Sequence, residues 1–151
     1  MSSNLTNLFI FSIPTLASFI TSKFCPMSKD SGVQINARPP SYVFAVVWTI
    51  LYILLGISWV HSRNCKCNNS KIVDTLYITL IALLNYWIVK YGCDKDPKSA
   101  LFILPFTILL TLILIVYSLG TASSYLLLPL LVWLIYAMLL NYTEVNMMTP
   151  S

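Results

Sequence analysis

Five apolar stretches, each nearly free of charge, alternate with short polar segments along the 151-residue chain. A helix that crosses a bilayer core about 30 Å thick needs roughly 20 apolar residues, because backbone amides in hydrocarbon must bond within their own segment. The pattern predicts helices at about 5–22, 42–60, 73–91, 99–119 and 125–142. The uncharged run from Ser99 to Thr143 is 45 residues, about 68 Å as a helix and too long for one crossing. It must fold back, and the Gly120-Thr121-Ala122-Ser123-Ser124 segment is the turn. Pro105 and Pro129 then fall near helix starts, where proline costs least. No Lys or Arg precedes the first stretch, so it lacks the basic start of a secretory signal and is expected to be a mature helix. These elements predict an all-α integral membrane protein, a five-transmembrane-helix bundle forming one domain over residues 1–151.

Composition fits a lipid-facing chain. It is 58% hydrophobic and 9% charged, whereas soluble domains carry about 25% charge; this excludes an ordinary soluble enzyme. The net charge of +4 is dispersed over separate loops and forms no phosphate-binding stripe, so no nucleic-acid partner is expected. Its distribution instead predicts orientation. Lys23, Lys29, Arg38, Lys90, Lys95 and Lys98 lie beside one set of helix ends, against Arg63, Lys66 and Lys71 at the other, which places the long first loop and the carboxyl tail in the cytosol. The membrane itself, mitochondrial outer or another, is not specified.

Chemistry-bearing residues are sparse. The single histidine, His61, reads as an interfacial residue closing the second helix rather than a haem ligand, and the acids Asp30, Asp74, Asp94, Asp96 and Glu144 fall outside the predicted membrane centres. No catalytic or metal-ligating set is expected. Cys25, Cys65, Cys67 and Cys93 are read as unpaired thiols in a reducing compartment, since Cys65-Lys66-Cys67 has neither zinc nor CxxC redox spacing. Aromatic and amide residues remain. Ala45, Trp48, Tyr52, Gly56 and Trp59 recur at helical spacing along one stripe, and Trp48, Asn85 and Trp133 lie at comparable depths of roughly 9–13 Å from the same end. Trp59 and Trp87 read as aromatic-belt anchors at the interfaces. Together these residues predict a cavity in the cytosolic half of the bundle, suited to a flat apolar ligand.

The segment Arg38-Pro39-Pro40-Ser41-Tyr42-Val43-Phe44-Ala45-Val46-Val47-Trp48-Thr49-Ile50-Leu51-Tyr52, followed by Gly56, resembles the second-helix signature of the TspO/MBR family, the translocator and tryptophan-rich sensory proteins. Leu84-Asn85-Tyr86-Trp87, Pro129-Leu130-Leu131-Val132-Trp133-Leu134 and Leu140-Asn141-Tyr142 match in order and spacing, so the resemblance covers about residues 37–143. It implies a five-helix bundle, often a homodimer, that binds porphyrins, haem or, in animal members, sterols as ligands rather than as a resident cofactor. It also implies a binding, transporting, sequestering or sensing role without catalysis; light-dependent porphyrin breakdown is the enzymatic alternative. The implied ligand-binding residues are Arg38, Pro39, Pro40, Trp48, Tyr52, Asn85, Tyr86, Trp133 and Asn141. Two departures stand out: Ala37 occupies a position where the family often has tryptophan, and helix four lacks its usual starting tryptophan. Tyr142 is followed by Thr143, Glu144, Val145 and Asn146, none of them basic, so sterol recognition through the helix-five motif is not expected. The competing reading is a structural or regulatory membrane protein that works through protein partners, with a packed and empty bundle.

Overall fold

The computed structural model describes residues 3–26, 39–65 and 69–148. Within them run five long helices: α1 Ser3–Phe24, α2 Ser41–Asn64, α3 Ser70–Ile88, α4 Pro97–Tyr117 and α5 Ala122–Met148. A single π-helical turn, Val89–Cys93, prolongs α3. All five are long and apolar enough to cross a membrane, and large apolar side chains such as Phe19, Phe102 and Val132 face outward. The chain is a multi-pass integral membrane protein.

The order of packing decides where a site can form. α1 packs on α2, α2 on α5, α5 on α4, α4 on α3 and α3 on α1, closing a ring; α2 and α3 also touch across its middle. The backbones of α3 and α5 do not approach one another, so only long side chains fill the space between them. At one end of the bundle lie the start of α2, the π-turn and the end of α5. At the other lie the end of α2 and the starts of α3 and α5.

This second end is held by a polar lattice. Ser123 Oγ donates to the Ser58 carbonyl at 3.0 Å and Ser58 Oγ to the Ser123 carbonyl at 3.1 Å, so α2 and α5 clasp each other where hydrocarbon offers no competing partner. The Tyr77 hydroxyl lies 2.6 Å from Ser58 Oγ. Trp59 does not anchor an aromatic belt: it is 2% exposed, its Nε1 donates to Asp74 Oδ1 at 2.9 Å, and its ring stacks on Tyr77. The cause is the length of α2, which runs to Asn64 instead of stopping near residue 60 and so draws Trp59 inward, while Arg63 meets Asp74 at 3.5 Å.

The cysteine expectation is corrected as well. Cys25 and Cys93 form a disulfide across 68 residues of sequence, because the end of α1 and the π-turn meet; Cys65 is disulfide-bonded too. The approach is close enough that a Cβ on Gly92 would lie 2.6 Å from the Cys25 carbonyl oxygen. Beyond the π-turn, Asp96 caps α4 by accepting from the Ser99 backbone N–H at 3.1 Å, and its bonds from Ser99 hold the carboxyl below the usual aspartate range. α4 and α5 begin two and three residues earlier than expected, so Pro105 and Pro129 sit inside them. A bundle tolerates this where neighbouring groups re-satisfy the freed carbonyls. α5 also continues six residues past Tyr142, since no Gly or Pro intervenes before Pro150. Glu144 therefore belongs to the helix rather than to a tail.

Candidate functional site

Helical spacing assembles an aromatic cluster toward the first end. Phe44, Trp48 and Tyr52 follow one another at four-residue steps on α2, which stacks their side chains on one face. Trp87 and Tyr91 do the same across the junction of α3 and the π-turn, and Trp133 and Tyr136 project from α5. The rings meet where α3 and α5 stand apart. Trp48 lies 5.6 Å from Trp87 and 6.5 Å, edge to face, from Trp133; Trp87 stacks on Tyr91 at 5.5 Å and Phe44 meets Trp133 at 5.5 Å. These are separations at which aromatic pairs attract beyond simple burial. Trp133 also forms one wall of an apolar groove of about 660 Å³ between α2 and α5, with Val47, Leu51 and Pro129 among its lining residues.

The polar edges of this cluster, and two amides on α3 and α5, are poorly satisfied. Trp48 Nε1, Trp87 Nε1, Trp133 Nε1, Tyr52 Oη, Asn85 Oδ1 and Asn141 Nδ2 are all buried without a hydrogen-bond partner. Each such group costs about 1–3 kcal/mol, and none of these six comes from the serine-rich second end. Indole nitrogens and amide NH2 groups only donate, so the set is rich in donors and calls for acceptors. Nearby, the Tyr91 hydroxyl donates to Glu144 Oε2 at 2.8 Å, crossing from the π-turn to α5. Among the described residues no group of three His, Cys, Asp or Glu side chains could hold a metal ion.

The TspO/MBR family profile matches residues 7–146. The chain belongs to the TspO/MBR family. A tryptophan-rich protein TspO from Archaeoglobus fulgidus is 31% identical over 108 residues, 69% of each chain. Another from Chlorobaculum tepidum is 28% identical over 115 residues, 74% of this chain and 73% of its own.

Within this TspO/MBR bundle the residues singled out from sequence divide. Trp48 and Tyr52 are buried, at 9% and 3% exposure, and their rings lie 5.7 Å apart; Trp133, half-buried, joins them. Asn141, 3% exposed, presents its unpartnered amide. Asn85 is half-buried and turns its Nδ2 back to the Ile81 carbonyl at 2.8 Å, leaving its oxygen unmet. Tyr86 is half exposed on the outer face beside Lys90, so its ring is not brought to the cluster. Pro39 and Pro40 precede α2, and Arg38 lies outside the described residues. Trp87 corrects the expectation of a belt anchor: it shares the buried stripe of Tyr77, Leu80, Leu84 and Ile88. Asn85 lies on the flank of that stripe. Tyr91 and Glu144 were missed. The only sequence signal for Glu144 is its place seven residues after Ala137 and three after Asn141, on the buried α5 stripe.

Proposed function

We propose that this membrane protein binds flat, largely apolar ligands of the tetrapyrrole class at the Trp48–Trp87–Trp133 cluster, to carry, store or sense them without catalysis. One observation carries the reading: four buried polar atoms of the contacting rings, Trp48 Nε1, Trp87 Nε1, Trp133 Nε1 and Tyr52 Oη, lack partners. A flat ring system supplies stacking surface to the indoles, while acceptors on it meet the indole and amide N–H groups. Family membership and the names of the two relatives support a tryptophan-centred role. Haem and porphyrin enter as ligands. A homodimer, a mitochondrial outer or other cellular membrane, and a cytosolic carboxyl terminus complete the proposal; the last rests on six basic residues against three.

A second reading has its own observation. The three indoles already touch one another, as they would in a packed bundle that serves protein partners and holds no ligand. Titrating the purified protein with protoporphyrin separates the two. Saturable tryptophan quenching that weakens in Trp48→Ala and Trp133→Ala supports the ligand site, and quenching that never saturates supports the packed bundle.

A further inference from the structure

Three of the four unpartnered atoms in the ring cluster are indole N–H groups, on Trp48, Trp87 and Trp133, and an indole can only donate. The fourth, Tyr52 Oη, can donate as well. A ligand edge that satisfies them must accept, and carbonyl oxygens on a flat ring do so while the ring itself packs on the indoles. The cluster also has an apolar extension. Trp133 belongs both to the cluster, edge to face with Trp48, and to the wall of the groove between α2 and α5. Ser58 and Ser123 bond each other and so fix the register of the two helices; Trp48 and Trp133 each stand ten residues from that pair toward the first end, about 15 Å along their helices. The groove runs through this interval beside Ile50, Leu51, Leu128 and Val132, inside both membrane spans. Hydrocarbon chains occupy that depth and water does not. At about 660 Å³ the groove has the size of a small-molecule site.

Ring carbonyls at one end and a long apolar tail at the other are the two halves of a lipid-soluble quinone. We propose that the protein takes up a membrane quinone, its ring at the indole cluster with one carbonyl accepting from Trp133 Nε1, and its tail along the groove between α2 and α5. The inference rests on the ring cluster being a ligand site, but not on a tetrapyrrole being the ligand. The reduced form fits worse. A quinol brings two O–H donors to a set in which only Tyr52 Oη can accept, and a buried donor left unmet is costly.

Calorimetric titration of the full-length protein in detergent tests it, with protein-free micelles as the blank. Decylubiquinone should bind saturably, and decylubiquinol, titrated under argon, about tenfold more weakly. Trp133→Phe keeps a ring face and removes the N–H, and should weaken the quinone by roughly threefold to tenfold. Val47→Phe and Val132→Phe fill the groove and should each weaken decylubiquinone by roughly fivefold or more, while the same quinone head without a tail stays within about twofold. Circular dichroism identifies a variant that has not folded, and either groove variant can stand in for the other. Decyl alcohol carries the tail alone. If it binds as tightly as decylubiquinone, or if quinone and quinol bind alike, the head is not recognised and the inference is overturned; equal losses for the tailed and tail-less quinones in the groove variants overturn the place of the tail. Protoporphyrin dimethyl ester is titrated alongside. If it saturates and decylubiquinone does not, the quinone inference fails and the ring cluster stands. If only the quinone saturates, the inference holds and the tetrapyrrole reading fails; if neither does, both fail.

Discussion

Gly56 is where α1 and α2 come closest. A Cβ built at this position lies 2.4 Å from the Phe11 carbonyl oxygen and 3.2 Å from Phe11 Cδ2, whereas real Cβ atoms essentially never come within 3.0 Å of another heavy atom. The obstacle is backbone, so no rotamer change relieves it, and Gly56→Ala must push α1 outward by at least about 0.6 Å. Overpacking of this kind costs about 1–3 kcal/mol, which for a chain of this size lowers Tm by roughly 2–10 °C. Thermal unfolding in detergent, followed by circular dichroism, measures it. Gly120→Ala is the comparison: Gly120 has φ +82 and no atom within 4 Å of a new Cβ, so its penalty is the left-handed backbone of about 1–2 kcal/mol, with no displacement of α1. Gly56 lies eight residues beyond Trp48, about 12 Å along α2, so ligand affinity should stay within twofold. A Gly56→Ala protein with wild-type Tm would refute the close α1–α2 contact, and with it the argument for glycine on this stripe.

Cys93→Ser should lower stability by about 2–4 kcal/mol by opening the loop that Cys25 closes; the Tm of wild type with and without reductant should differ in the same direction, and labelling of unreduced wild type at Cys25 or Cys93 by a maleimide would show that the bond is absent. Arg38→Ala and Arg38→Lys should both weaken free protoporphyrin but not its dimethyl ester, because a guanidinium holds a propionate through two parallel hydrogen bonds that lysine cannot form; equal free-acid affinity in all three proteins removes Arg38 from the site. A protease tag after residue 148 should be cleaved from the cytosolic side of sealed membranes, and protection there reverses the orientation drawn from basic residues.

The five crossings were legible because hydrophobic length alone decides what spans a bilayer, and the family motifs marked Trp48 and Trp133 correctly as neighbours. What escaped depended on helix ends and on facing. Ending helix two near residue 60 placed Trp59 at an interface, when the helix continues through Arg63 and pairs it with Asp74. Stopping helix five at residue 142 put Glu144 in a polar tail, when the absence of a breaker carries the helix on and buries the acid against Tyr91. On α3 the nearness of Lys90 suggests an interfacial place for Trp87, whereas the stripe of Tyr77, Leu80, Leu84 and Ile88 turns it inward. The disulfide was illegible because no local spacing relates residues 68 apart; only the meeting of α1 with the π-turn does.

The four tryptophans provide the most direct measurement of the central claim, since three of them form the cluster and Trp59 lies eleven residues from Trp48, about 16 Å along α2. Protoporphyrin affinity is measured for Trp48→Phe, Trp87→Phe, Trp133→Phe and Trp59→Phe, substitutions that keep an aromatic face and remove the indole N–H. Binding should weaken for the first three, by roughly threefold to tenfold for one lost hydrogen bond each, and stay at wild-type affinity for Trp59→Phe. Equal affinity across all four, or a loss confined to Trp59→Phe, would contradict a ligand site at the Trp48–Trp87–Trp133 cluster.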